Sequence, residues 1–190
     1  MKKHSEKLKQ LNACLEAIEY ADEFSSLQAA WDDCRRGDWL LWLLGKTAGK
    51  PRTKSRKKLV LVCCKCARLS LKYVVKGEKR PLRAIKTAEG WAMGKGNITL
   101  EDVRAAAYAA YAAAYAADVA DAADAADVAA YTAAYAAAYA ADVADAADAA
   151  YAAAYAADAA AYTAYEKTLV KCATIARQFY PQAPRIRSKP

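Results

Sequence analysis

Cys63-Cys64-Lys65-Cys66 places three thiols within four residues, the densest group of metal-capable side chains in the chain. A C-x-x-C pair holds zinc when a second pair or histidines stand nearby, and runs thiol–disulfide chemistry at a strand-to-helix turn. Neither context is present. His4 is the only histidine, and the remaining cysteines, Cys14, Cys34 and Cys172, are isolated. The thiols are therefore expected to be reduced and buried, packing as small apolar groups, with no metal bound. Carboxylates offer no better chemistry. Asp118, Asp121, Asp124 and Asp127 recur at steps of three, which on a helix turns them through about half a revolution and presents no single row. No Gly-rich phosphate loop and no spacing that supports a nucleophile–base pair accompanies them. The sequence predicts a protein that is not an enzyme and carries no cofactor.

Charge is the other concentrated feature. GKTAGKPRTKSRKK, residues 45–58, holds Lys46, Lys50, Arg52, Lys54, Arg56, Lys57 and Lys58. Its two glycines, its proline and its lack of apolar residues predict a loop. Lys50, Arg52, Lys54, Arg56 and Lys57 are the candidate partner-binding cations, with Trp39 and Trp42 of the neighbouring WLLWLLG as candidate apolar contacts. Such cations suit phosphate or an acidic protein surface. No aromatic residue interleaves them to stack on bases, so nucleic-acid binding through 45–58 is the weaker alternative.

The charge is unevenly distributed. Residues 105–165 contain eight aspartates and neither Lys nor Arg, so with +8 over the whole chain this segment stands at −8 and the remainder at +16. That asymmetry suits either self-association or an acidic partner. MKKHSEKLKQ has a positive start with no apolar stretch behind it, and no run reaches ~18 apolar residues, so a cytoplasmic protein without a membrane span is expected.

Helices must position these groups. Leu8, Leu11, Leu15 and Ile18 keep a three-and-four spacing that predicts one amphipathic helix. Ser25 and Ser26 offer a cap before a second helix, from Leu27 to near Gly37, and Asp38 a cap for WLLWLLG, which Gly45 closes. KKLVLVCCKCARLSLKYVV, 57–75, is β-branched at its start but holds a helical period, predicting a buried helix. Pro81 suits a first turn, Ala84, Ile85, Ala88 and Trp91 form its buried stripe, and Gly94 and Gly96 end it. All four tryptophans fall before residue 97, a pattern of core packing.

Thr99 and Asp102 form a capping box at the start of an alanine-rich stretch. YAAAYAADVADAADAA occupies 111–126 and recurs letter for letter at 135–150, and Gly and Pro are absent from 99–180. Alanine forces helix. From Tyr108 to Tyr165 the Tyr and Asp positions advance by about 3.35 residues, less than the helical 3.6, so their stripe winds around a straight rod. One helix over 99–180 would reach about 120 Å, against a radius of gyration near 16 Å for a compact chain of this size. The expectation is an all-α protein whose Ala/Tyr/Asp-rich repeat folds back as antiparallel arms. A last amphipathic helix, carrying Leu169, Val170, Cys172, Ile175, Ala176 and Phe179, returns to the N-terminal bundle. Tyrosine is packing material and aspartate provides caps and solubility. The predicted organisation is a helical bundle at 1–96, a repeat segment with its final helix at 97–180, and a basic tail at 181–190.

LNACLEAIEYA, AWDDCRRGDWLLWLLGK, KKLVLVCCKCARLSLKYV, RPLRAIKTAEGWAMG, TLEDVRAAAYAAYAAAYAA and KCATIARQFYP succeed one another in an order that resembles the immunity-five-like family of phage and bacterial immunity proteins. The block holding Trp31, Cys34, Gly37, Asp38, Trp39 and Trp42 is its most specific part. The resemblance implies an all-helical fold and a non-catalytic protein that binds and neutralises a toxin or effector. Two departures stand out: 45–58 is unusually basic and the repeat is long. A structural, self-assembling Ala-rich protein is the alternative class.

Overall fold

The computed structural model describes residues 2–50, 52–69, 71–73, 77–118 and 162–186. Among them every regular element is helical: α1 (Lys3–Gln10), α2 (Leu15–Glu23), α3 (Leu27–Asp33), α4 (Gly37–Thr47), α5 (Lys54–Ala67), a 3-10 turn (Leu71–Tyr73), α6 (Arg80–Met93), α7 (Leu100–Asp118) and α8 (Tyr162–Phe179). The folded-back arms fall on 119–161, outside the described residues.

Helix α5 is the axis of the core. Leu59, Val60, Val62, Cys63, Cys64 and Cys66 are all fully buried, and α5 packs against α4, α6 and α8. Burying each such aliphatic side chain is worth about 1.5–3 kcal/mol, far more than the few tenths by which β-branching disfavours helix. Thr53 starts α5, its hydroxyl accepting the Arg56 N–H at 3.2 Å. The helix is shorter than expected: it ends at Ala67.

Two helix ends close by the same device. Gly94 (φ 68°) comes directly after α6, with the Lys95 N–H bonded to the Gly90 carbonyl at 2.8 Å and the Gly94 N–H to that of Trp91 at 3.1 Å. Asn12 (φ 61°) does the same after α1: the Ala13 N–H meets the Leu8 carbonyl at 3.1 Å and the Asn12 N–H that of Lys9 at 2.9 Å. Asparagine is the usual substitute for glycine in this left-handed closure. It splits the single helix expected from Leu8 to Ile18 and leaves Leu15 at 64% exposure. Ser5 then ties α1 to α2, donating to the Asp22 carboxylate at 2.8 Å. Helix α3 starts as expected, Ser26 accepting the Ala29 N–H at 3.1 Å.

Gly37 does not end α3. It opens α4, at the point where α4 meets α8. A β-carbon there would lie 2.5 Å from Cys172 Cβ, 2.6 Å from the Leu169 carbonyl oxygen and 2.7 Å from the Ala173 nitrogen. Asp38 is likewise not the cap. It is buried in the first turn, bonded by Arg36 Nε at 2.9 Å, where its charge also suits the helix dipole. Helix α4 continues past Gly45 to Thr47.

The capping box at α7 forms as expected, Thr99 Oγ1 accepting the Asp102 N–H at 3.1 Å and Asp102 accepting the Thr99 N–H at 2.7 Å. The final helix does return to the bundle: Leu169, Cys172, Ala173 and Ala176 of α8 are buried, and α8 packs on α4 and α5. Arg177 donates to the Trp31 and Cys34 carbonyls at 3.1 and 2.6 Å, closing the end of α3. The chain then runs back over the bundle. Ala183 N–H reaches Gln28 at 2.8 Å, Lys7 reaches the Ile186 carbonyl at 3.3 Å, and Ile186 is itself buried. One core thus takes side chains from all three predicted segments, among them Val103, Cys172 and Ile186.

Candidate binding surface

The basic stretch is mostly helix. Only Ala48–Thr53 connects α4 to α5, turning through Gly49 (φ 80°) and Arg52 (φ 70°). Lys50, Arg52 and Lys54 are exposed and Lys57 is half-buried. Arg56 departs from the expected surface role, being only 6% exposed. Its Nη2 donates to the Gly49 carbonyl at 2.7 Å and the Gly45 carbonyl at 3.2 Å, and its Nε to Gly49 at 3.3 Å. These carbonyls lie in and just beyond the last turn of α4, so the guanidinium closes one helix from the first turn of the next. Burial lowers its pKa.

The cations that do face solvent form a line that the sequence does not announce. At about 100° per residue, Lys54, Lys57, Lys58 and Lys65 share an arc of about 100° on α5 with Leu61 between them, and 54 to 65 spans about 16 Å. Lys54, Lys58 and Lys65 are exposed. The i, i+4, i+11 spacing carried this signal once 54–67 is taken as helix rather than loop. Among the described residues the ion pairs Arg36–Asp38, Arg68–Glu89 and Arg80–Glu78 leave Lys54, Lys58 and Lys65 out.

Aromatic rings flank the line although none is near it in sequence. Lys57 Nζ stands 5.4 Å from the Trp91 ring, Lys58 Nζ 4.4 Å from Tyr180, and Lys65 Nζ 5.2 Å from Phe179. Each ring face therefore already carries a cation, an attraction worth about 0.5–1 kcal/mol at an exposed site.

Trp39 and Trp42 lie elsewhere. Both are half-buried on α4 and line a cavity of about 400 Å³ bounded by α1, α2, α3 and α4, to which α5 contributes no residue. Trp39 packs at 5.7 Å from the Tyr20 ring and under the Arg36 guanidinium at 4.5 Å. None of Lys50, Arg52, Lys54, Arg56 and Lys57 lines that cavity, and of the basic stretch it is Lys46 whose Nζ stands over Trp42, at 5.7 Å.

The thiol cluster sits in the core. Cys63, Cys64, Cys66 and Cys172 are fully buried and free. Burial pushes the Cys63 thiol up to about 12 and Cys34 to about 11. A hydrogen bond with Cys172, then burial, raises Cys66. Cys34, Cys63, Cys64 and Cys66 are thus held as thiols, poor nucleophiles. Among the described residues no three His, Cys, Asp or Glu side chains gather as a metal site. His4 Nε2 is engaged with the Ala21 carbonyl at 2.8 Å. In the native protein at mildly alkaline pH a maleimide should label Cys14 alone of the six cysteines, and all six after unfolding. Mass spectrometry of the labelled chain checks this, and rapid native labelling of Cys63 or Cys66 would contradict it.

No helix among the described residues is long and apolar enough to cross a membrane. Comparison with protein-family models, with curated proteins and with solved structures finds no match to this chain.

Proposed function

We propose that this chain is a non-catalytic binding protein that engages an acidic protein partner through the lysine line of α5. The resemblance to the immunity-five-like family makes that partner a toxin or effector which the chain neutralises, as an immunity or phage counter-defence protein would. The supporting observation is the exposed row Lys54, Lys58 and Lys65, which pairs with no carboxylate among the described residues. Protein is favoured over nucleic acid because the flanking rings carry lysines instead of offering bare stacking faces. Arg56, a residue suited to bidentate phosphate contact, is also committed to Gly45 and Gly49.

Affinity capture from nuclease-treated native lysate tests this, comparing the wild-type chain with Lys54→Glu/Lys58→Glu/Lys65→Glu. An acidic protein should be retained stoichiometrically by the wild type, and its affinity should fall at least about tenfold in the variant, with a weaker salt dependence. Capture abolished by nuclease would assign the line to nucleic acid. Light scattering that shows an oligomer dispersed by the triple variant would assign it to self-association. Equal capture by both chains rejects the surface.

A further inference from the structure

The Trp-lined cavity has no part in the lysine surface of α5, and its chemistry is different. Its walls are mostly apolar: Leu8 from α1, Ala17 and Tyr20 from α2, Trp31 from α3, Trp39 and Leu43 from α4. Its volume of about 400 Å³ falls within the range of small-ligand sites, about 300–1,000 Å³. The left-handed turn at Asn12 separates α1 from α2, and Asn12, Ala13 and Cys14 of that connection form part of the lining.

The charges in the wall cancel. Arg36 and Asp38 are the charged lining residues, and they bond each other through Arg36 Nε at 2.9 Å while the guanidinium stacks on Trp39. Among the described residues no buried side-chain nitrogen or oxygen lacks a partner. The wall therefore has no unanswered ionic group to match in a ligand, and water inside would find few hydrogen-bond partners. Arg36 covers one face of Trp39 and Lys46 Nζ stands 5.7 Å over Trp42, so the ring edges and the remaining faces of the three indoles and of Tyr20 are what a flat π-system would meet. A docked helix, about 10–12 Å across with its side chains, is a poorer fit to a hollow that reaches in as far as the fully buried Trp31. We propose that this cavity binds an uncharged, largely apolar small molecule with a planar aromatic body.

Titration of the full chain with N-phenyl-1-naphthylamine, a neutral aromatic probe, tests the proposal. The expected result is one saturable site per chain, with excitation transferred from the wall tryptophans. Cys14 is the exposed cysteine and lines the cavity, so bound probe should slow its labelling by N-ethylmaleimide about tenfold or more. Ala17→Phe, which fills the hollow from α2, should abolish both effects, whereas Tyr108→Ala, at an exposed ring on α7, should change neither. The anionic 8-anilinonaphthalene-1-sulfonate should bind at least about tenfold more weakly at moderate salt, when screening mutes the basic surface.

Absence of saturable binding overturns the proposal, as does binding that leaves Cys14 unprotected or survives Ala17→Phe. Tighter binding of the anion overturns the uncharged class. If Ala17→Phe loses its helical circular dichroism, protection of Cys14 in the wild-type chain decides the question alone.

Discussion

Replacing Gly37 by alanine is expected to destabilise the protein by about 3 kcal/mol or more, at the upper end of what overpacking costs. Alanine is the better helix former by roughly 1 kcal/mol, so propensity alone would predict a gain. Contact reverses the sign. The added methyl would meet the Leu169 carbonyl oxygen and the Ala173 nitrogen at 2.6 and 2.7 Å, both backbone atoms of α8, as well as Cys172 Cβ at 2.5 Å. A helix backbone cannot rotate away as a side chain can, so α4 and α8 must separate. Gly90 supplies the control. Its close neighbour is the tip of Ile98, also at 2.5 Å, which can change rotamer, so Gly90→Ala should stay within about 1 kcal/mol of wild type. Urea denaturation of both variants checks the contrast. A Gly37→Ala protein as stable as Gly90→Ala would show that α4 and α8 do not approach this closely.

Arg56→Ala is expected to cost about 3 kcal/mol, because it removes charge-assisted bonds and leaves the carbonyl of the buried Gly45 unanswered. The Gly45 and Gly49 carbonyls are its acceptors, and the guanidinium reaches both from one rigid fork. Lysine has a single nitrogen and should restore less than half of the loss. Arg52→Ala, four residues earlier and exposed, should stay within about 0.5 kcal/mol. Denaturant midpoints for the three variants test the difference between a buried and a surface arginine. Equal, small effects at both positions would return Arg56 to the surface role expected from sequence.

Arg56 also shows where sequence reasoning ran out. In the sequence it is one cation among seven in a stretch rich in Gly and Pro. Local composition predicts a loop, and a loop makes every cation equivalent. Once Thr53 caps a helix at Lys54, those cations acquire faces, and Arg56 turns inward while Lys54 and Lys58 turn outward. The rings beside the lysines were invisible for a related reason: Trp91, Phe179 and Tyr180 lie 34 to 122 residues along the chain from the lysines they meet.

Where local geometry is decisive, the sequence sufficed. Ser26, Thr99 and Gly94 mark helix ends because their capping partners lie within five residues. The stripe of Ala84, Ile85, Ala88 and Trp91, the burial of the C-x-x-C thiols and the return of α8 to the bundle come from periodicity and the need to bury apolar area. Asn12 belongs to the same local class as Gly94, yet its sequence context does not mark it as a stop, since an asparagine takes the left-handed role far less often than glycine.

The amino-acid sequence by itself therefore determined that this protein is helical, which faces of most of its helices are buried, and that basic and acidic charge occupy different stretches. Those properties depend on neighbours within a turn or two. Only the tertiary structure decided that Gly37 is a point of contact at the start of α4 instead of the end of α3, that Arg56 belongs to the interior, and that Trp39 and Trp42 line a cavity in which α5 has no part. Each of those outcomes depends on residues distant in the chain, and close packing, which tolerates neither an extra methyl nor an unanswered carbonyl, assigns the role that composition leaves open.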